Sequence, residues 1–191
     1  GTSNAASPAV TQTVDCRARV TVAFRIERLG PAHDSAQFTC GVTALDNYIR
    51  AQANQDMRRR ASVCYVALEN TPTLAMDNAK VAAYYTLAAA GVALTELPTA
   101  MAKRLPRYPS VPVARVGRLA VAEVCQGHKL GAALLADAVL RTVRSEVAIF
   151  ALVVDAKDVA AERFYEHHGF ELYGVLPRQL ILPLARFKAK P

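Results

Sequence analysis

The sequence predicts an α/β fold organised as one compact domain, on three observations. Short apolar runs of strand length alternate with stretches whose apolar residues recur at helical spacing. The length, 191 residues, suits a single core that buries enough apolar surface to fold unaided. The hydrophobic fraction of 52% is broken throughout by Gly, Pro and charges, and no run approaches the ~20 apolar residues of a bilayer span. A soluble, cytoplasmic protein with no membrane partner is the expectation.

The elements follow in order. Gly1 to Ala9 are small and polar, with neither the basic start nor the apolar run of a secretory leader. Residues 1–19 are therefore expected to be a flexible tail or tag remnant, and 20–187 the folded domain. Val20 to Arg25 alternates like a strand. Past Gly30 and Pro31, Thr43 is placed to cap a helix whose Leu45, Ile49 and Ala53 share a face, and Arg58-Arg59-Arg60 suit its carbonyl end. Ser62 to Glu69 and Lys80 to Ala90 read as strands paired across a turn at Asn70 to Asn78. Four prolines between Gly91 and Pro112 bracket a short helical piece near Leu97 to Leu105, an insertion beside the sheet. Val113 to Val121 is a buried strand, and Gln126 to Ala132 a Gly-containing turn opening a long helix with Leu130, Leu134 and Ala138 aligned. Val147 to Val154 is a further strand and Ala156 to His168 an amphipathic helix with Gly169 as its left-handed cap. The strands Phe170 to Gly174 and Gln179 to Leu184 complete the sheet.

Four widely spaced cysteines, Cys16, Cys40, Cys64 and Cys125, do not have the close pairing of zinc or redox sites. Free thiols and no metal are expected. The formal net charge of +7 points to an anionic partner, whether nucleic acid, phosphorylated cofactor or acidic protein, although basic surfaces also serve solubility.

The run Arg118-Leu119-Ala120-Val121-Ala122-Glu123-Val124-Cys125-Gln126-Gly127-His128-Lys129-Leu130-Gly131-Ala132 takes a strand through a turn into a helix start. Unpaired N–H groups and the helix dipole there favour phosphate oxygens, and Lys129 adds a point charge. Two glycines near a helix start also make ordinary tight loops. Neither the P-loop pattern nor the dinucleotide fingerprint is present.

From these residues the chain resembles the GCN5-related N-acetyltransferase superfamily, whose Q/R-x-x-G-x-G/A pattern Gln126, Gly131 and Ala132 match. Lys129 stands where the middle glycine is usual. Ala161-Glu162-Arg163-Phe164-Tyr165-Glu166-His167-His168-Gly169-Phe170, preceded by Asp155-Ala156-Lys157-Asp158, is similar to the superfamily's A-x-x-F/Y-Y-x-x-x-G-F block. The resemblance implies a mixed, mostly antiparallel twisted sheet of about six to seven strands flanked by helices, with a V-shaped splay between the fourth and fifth. It implies acetyl-CoA as co-substrate, with pantetheine along Leu119, Ala120 and Val121 and diphosphate on Gln126, Gly127, His128, Lys129, Leu130, Gly131 and Ala132. Asp155 and Phe164 complete the implied cofactor set.

Leu29, His33-Asp34, Phe38-x-Cys40-Gly41, Leu45-Asp46-x-Tyr48, Gln55-Asp56, Leu105-Pro106-Arg107-Tyr108-Pro109 and Gly117-Arg118-Leu119-Ala120-Val121 narrow the likeness to acetyltransferase toxins of toxin–antitoxin pairs. That resemblance implies an aminoacyl-tRNA substrate, a ribbon-helix-helix antitoxin and a homodimer.

Tyr165 is the candidate general acid, because a phenol of reference pKa about 10 keeps its proton at neutral pH and can serve a thiolate of about 8.5. Its alternative is a packing aromatic. No side chain stands out as a base among His33, Glu123, His167 and His168. An α-amine at about 7.7–8.0, lowered further by esterification next door, is partly neutral without one, unlike a lysine at about 10.4. Arg58, Arg59, Arg60, Lys103, Arg104 and Arg107 are candidates for contacting tRNA phosphates, against the reading of a solvated helix end. A different amine acceptor, or a non-catalytic module binding CoA or nucleic acid, are the competing functions.

Overall fold

The computed structural model describes residues 10–17, 20–69 and 79–187, with side chains from Phe24 onward. The expected turn at Asn70 to Asn78 lies outside the described residues, as do residues 1–9 and the side chain of Cys16. Two compact units are present, Gly1–Tyr85 with Leu119–Asp137, and Thr86–Arg118 with Ala138–Pro191.

Among the described residues nine strands form, β1 (Val10–Arg17), β2 (Val20–Arg28), β3 (His33–Asp34), β4 (Val63–Glu69), β5 (Ala79–Ala93), β6 (Ser110–Val121), β7 (Ala151–Asp155), β8 (Glu171–Leu172) and β9 (Gln179–Pro183). The order of hydrogen-bonded neighbours is β1-β2-β4-β5-β6-β7-β9-β8, with β3 on β5. The pairs β1–β2, β2–β4, β7–β9 and β8–β9 are antiparallel, and β6–β7 is parallel. The strand count exceeds the expected six to seven for two reasons. The presumed loose tail contains β1, which pairs with β2 from Val10↔Ile26 to Arg17↔Val20, and the two-residue β3 is too short to show a period. For β6–β7, where the resemblance implies a splay, the register covers only Val113 to Val116, whereas β6 runs on to Val121.

In the first unit, α1 (Thr43–Asn47) passes through a π-turn, Tyr48–Gln52, into α2 (Ala53–Arg58). The cap differs from the expectation: Val42 occupies it and Thr43 is already helical, because the Val42 carbonyl accepts from both Leu45 and Asp46 N–H. The π-turn shifts the apolar stripe, so Tyr48, Ile49 and Ala53 are buried while Leu45 is only partly so. They pack on Phe38, Val66, Leu68, Val81 and Tyr84; each such side chain contributes ~1.5–3 kcal/mol by leaving water.

The second unit has its core in Val92, Leu97, Val111, Val113, Ala151, Val153, Tyr173 and Ile181. Ala151 to Val154 are all buried, the mark of a strand covered on both faces, which is why they read as a continuous apolar run. The expected strand start at Val147 is corrected: Val147 is exposed and its N–H is taken by Ser145 Oγ. The proline-bracketed segment contains α3 (Thr99–Ala102), and β5 continues through Gly91 before it. The remaining helices are α4 (Leu130–Val143) and α5 (Val159–His167).

Candidate acetyl-CoA site

In the first unit, β6 ends in Leu119, Ala120 and Val121, and the Ala122 N–H still donates to the Ala82 carbonyl (2.8 Å). A short 3-10 turn, Glu123–Cys125, leads to Gln126. Hydrogen bonds tie this stretch to the loop before α1: Glu123 N–H donates to Thr39 O (2.9 Å), and Gln126 Nε2 donates to Cys40 O (3.0 Å) as well as to Val121 O (3.0 Å) at the end of β6. Gln126, expected among the phosphate ligands, thus spends its amide nitrogen on shaping the turn.

The loop is itself pinned. Cys40 N–H donates to Asp46 Oδ1 at 2.8 Å and Thr39 Oγ1 lies 3.4 Å from Asp46 Oδ2. Burial acts to raise the Asp46 pKa, but hydrogen bonds from the Cys40 thiol, the Cys40 N–H and Thr39, with the Arg50 charge, outweigh it and hold the carboxyl below its ordinary value. Burial and the same carboxylate push the Cys40 thiol up to about 11. Cys40, Cys64 and Cys125 are buried and outside any disulfide among the described residues.

Gly127 and Lys129 both have left-handed backbone, φ 80° and 62°. The first helical hydrogen bond of α4 runs from Ala133 N–H to Lys129 O (3.1 Å), leaving the N–H groups of Leu130, Gly131 and Ala132 ahead of it, as at any helix start. These donors and the dipole favour an anion. Lys129 is exposed, and no acid pairs with it among the described residues. His128 Nδ1 is buried and has no hydrogen-bond partner among them. Directed donors and an unneutralised ammonium at one turn fit a diphosphate, so the residues present suit the CoA group.

In the second unit, α5 starts at Asp158, whose carboxylate accepts from Ala161 N–H (2.8 Å). Its last turn closes by two bonds, Gly169 N–H to Glu166 O (2.9 Å) and Phe170 N–H to Tyr165 O (3.1 Å). That is the Schellman arrangement, which requires left-handed backbone after the cap, and Gly169 has φ 86°. Its accompanying apolar contact joins Phe170 to Tyr165, ring centroids 5.4 Å apart and edge-on, and Phe164 is also edge-on to Tyr165 at 5.1 Å. Tyr165 is in contact with both rings and only 6% exposed, and burial pushes its phenol up to about 12. Asp155 ends β7 in an ion pair with Arg115 and accepts from Gln179 Nε2 (3.3 Å).

Three of the four candidate bases, His33, His168 and Glu123, are engaged in structure. His33 accepts Gly30 N–H on Nδ1 and meets Glu27 through Nε2 (3.0 and 2.8 Å). His168 Nδ1 lies 2.7 Å from Phe164 O, and Glu123 Oε2 lies 3.4 Å from Thr39 Oγ1. His167 is exposed. Arg58, Arg59 and Arg60 are exposed at the end of α2 in the first unit, and Lys103, Arg104 and Arg107 are exposed in the second. Tyr84 and Tyr85 are core, their hydroxyls donating to Leu45 O and Asp137 Oδ2 (2.8 and 2.6 Å). The pinning carboxylate Asp46 and the Phe170 clamp were not assigned roles from sequence, because each acts through a contact that spacing alone does not show.

Residues 41–175 match the family model for the acetyltransferase (GNAT) domain. A tRNA-acetylating toxin of Mycobacterium tuberculosis is 32% identical over 157 residues, 81% of this chain and 89% of the relative. AtaT complexed with acetyl-methionyl-tRNAfMet has a TM-score of 0.77 at 28% identity, with 85% of this chain and 96% of that one covered. A Tyr-to-Phe mutant of AtaT bound to the C-terminus of the antitoxin AtaR and acetyl-CoA gives 0.70 at 27% identity, covering 85% and 94%. With the family model spanning more than half of its length, over the diphosphate turn and the tyrosine helix, this chain belongs to the GNAT acetyltransferase family.

Proposed function

We propose that this protein is a toxin that acetylates the α-amino group of aminoacyl-tRNA from acetyl-CoA, blocks translation, and is neutralised by a ribbon-helix-helix antitoxin. A cytoplasmic homodimer is part of this reading. The observation that carries it is the pairing, in one chain, of a donor-rich diphosphate turn with a phenol held on a clamped helix. The 32% identity to a tRNA-acetylating toxin supports the choice of acceptor.

Acetyl-CoA supplies an acetyl group activated as a thioester. The backbone of Leu119 to Val121 would hold the pantetheine, and the N–H groups from Gly127 to Ala132, with the Lys129 ammonium, the diphosphate. Tyr165 keeps its proton on Oη throughout the neutral range, since its pKa stands at about 12. The same burial makes it a poorer acid than a free phenol, and it lies well above a thiol's reference of about 8.5. Its role is therefore a hydrogen bond that strengthens as negative charge grows on sulfur, with the proton moving only as the bond breaks. An esterified α-amine, whose pKa falls below about 7.7–8.0, arrives partly neutral. That fits a chain in which His33 and His168 are engaged in structural hydrogen bonds.

The test is mass spectrometry of the amino acids released from a mixed pool of charged tRNA after incubation with enzyme and acetyl-CoA. N-acetylated amino acids are expected. Their absence, with free small amines acetylated instead, would refute the tRNA reading.

A further inference from the structure

The segment joining β5 to β6 in the second unit has features that the diphosphate turn and Tyr165 leave unexplained. It encloses an open groove of about 670 Å³, lined by the apolar Leu94, Leu97 and Leu105 together with Lys103, Arg107 and Tyr108. Tyr108 is 65% exposed, the most exposed of the seven tyrosines, whereas Tyr84 and Tyr85 are fully buried.

The ring does not hang on a loose loop. Pro106 and Pro109 flank Arg107 and Tyr108, Tyr108 N–H is bonded to Pro106 O (2.8 Å), and Leu94 N–H to Pro109 O (3.1 Å). From Leu94 to Pro109 the chain holds three cations, Lys103, Arg104 and Arg107, and one acid, Glu96. None of the three cations is ion-paired among the described residues.

A rigidly presented, water-exposed aromatic face beside unneutralised cations is the combination by which proteins hold single-stranded nucleic acid. The ring stacks on a base of any identity, and the cations follow the phosphates. The groove volume lies in the range of sites that take one small ligand, so a duplex does not fit and an unpaired end does. We propose that this groove receives the unpaired terminal nucleotides of the acceptor RNA, with a base on Tyr108 and phosphates against Arg107 and Lys103. The proposal rests on the reading of charged tRNA as substrate, and names the part of the chain that grips its free end.

The experiment uses the full chain and two readouts. Binding of a fluorescent single-stranded RNA hexamer is measured against salt, and the KM for charged tRNA is measured in parallel, for wild type, Y108A, Y108F and R107Q. Both substituted positions, Arg107 and Tyr108, are exposed, and equal melting temperatures certify the fold. Y108A is expected to weaken hexamer binding and raise the KM for tRNA about tenfold, which is ~1.4 kcal/mol and within the range of one base–aromatic stack. Y108F is expected to retain both. R107Q is expected to weaken binding and flatten its salt dependence by about the share of one phosphate contact. Wild-type values for Y108A and R107Q would overturn the groove assignment while leaving tRNA acetylation standing. Charged tRNA that wild type does not acetylate would overturn the functional reading, which the hexamer titration reads separately. A short peptide or duplex RNA that binds the groove more tightly than the hexamer would also overturn the assignment.

Discussion

Arg60, Lys129 and Arg178 have positive φ without being glycine (58°, 62° and 59°), and a side chain there costs ~1–2 kcal/mol. Arg60 ends α2 with the bonds Arg60 N–H to Met57 O and Ala61 N–H to Asp56 O, the position after the cap where glycine is ordinarily found. Arg60→Gly should therefore raise stability by ~1 kcal/mol, read as a higher urea midpoint. Lys129→Gly should relieve comparable strain, yet weaken acetyl-CoA binding several-fold and lower its salt dependence, because the ammonium at the turn is lost. Tighter CoA binding by that variant in calorimetry would contradict the role of Lys129. Asp46 makes the opposite case. Its carboxyl is held below its ordinary value, so its contribution is present above the unfolded pKa of about 3.8 and is lost as pH falls through the lower folded value. Asp46→Ala should cost ~1–3 kcal/mol at pH 7 by leaving the Cys40 N–H unpaired, and should flatten the acid limb of the stability curve.

At the level of elements, Gly169 decides where Tyr165 stands. A Cβ there would meet Arg186 Nη1 at 3.7 Å and Leu182 Cδ1 at 3.8 Å, ordinary contacts, so crowding does not forbid alanine. The positive φ does, and Gly169→Ala should cost ~1–2 kcal/mol through backbone strain. Phe170→Ala should cost more, ~3–5 kcal/mol, as loss of a buried aromatic. It should also lower turnover, since the ring that fixes Tyr165 is gone. The sequence made this helix legible through its spacing and its glycine, and it made β7 and the strand leading to the diphosphate turn legible as apolar runs. It did not make β1 legible, because a polar, alternating segment next to an unstructured-looking start carries little apolar signal. The π-turn was hidden for another reason: Leu45, Ile49 and Ala53 satisfy a helical period whether or not one residue is inserted between turns. The helix start at the turn could be placed from sequence, whereas the side-chain bonds of Gln126 to the carbonyls of Cys40 and Val121 could not, because those partners are brought to it only by folding.

For the whole molecule, chemistry and stability should respond to pH in different ranges. Burial raises Tyr165 from 10.0 to about 12, so its stabilising contribution is fully present below pH 10 and is lost as pH rises through about 12. Turnover should climb from about pH 6 to 8 as the esterified amine loses its proton, and then stay level to about pH 10. A decline centred near pH 8.5 would point to a different acid. The residues proposed for the two roles fall in different compact units, the turn at Gly127 to Ala132 in one and Tyr165 in the other, so the proposed binding and catalysis should be separable by mutation. The most direct measurement is single-turnover acetyl transfer to charged tRNA by wild type and Tyr165→Phe, at acetyl-CoA concentrations set by calorimetry for each. The variant is expected to bind acetyl-CoA within about twofold of wild type and to transfer ~10²–10⁴-fold more slowly. Equal transfer rates, or a variant that fails only because it no longer binds acetyl-CoA, would contradict the assignment of the phenol.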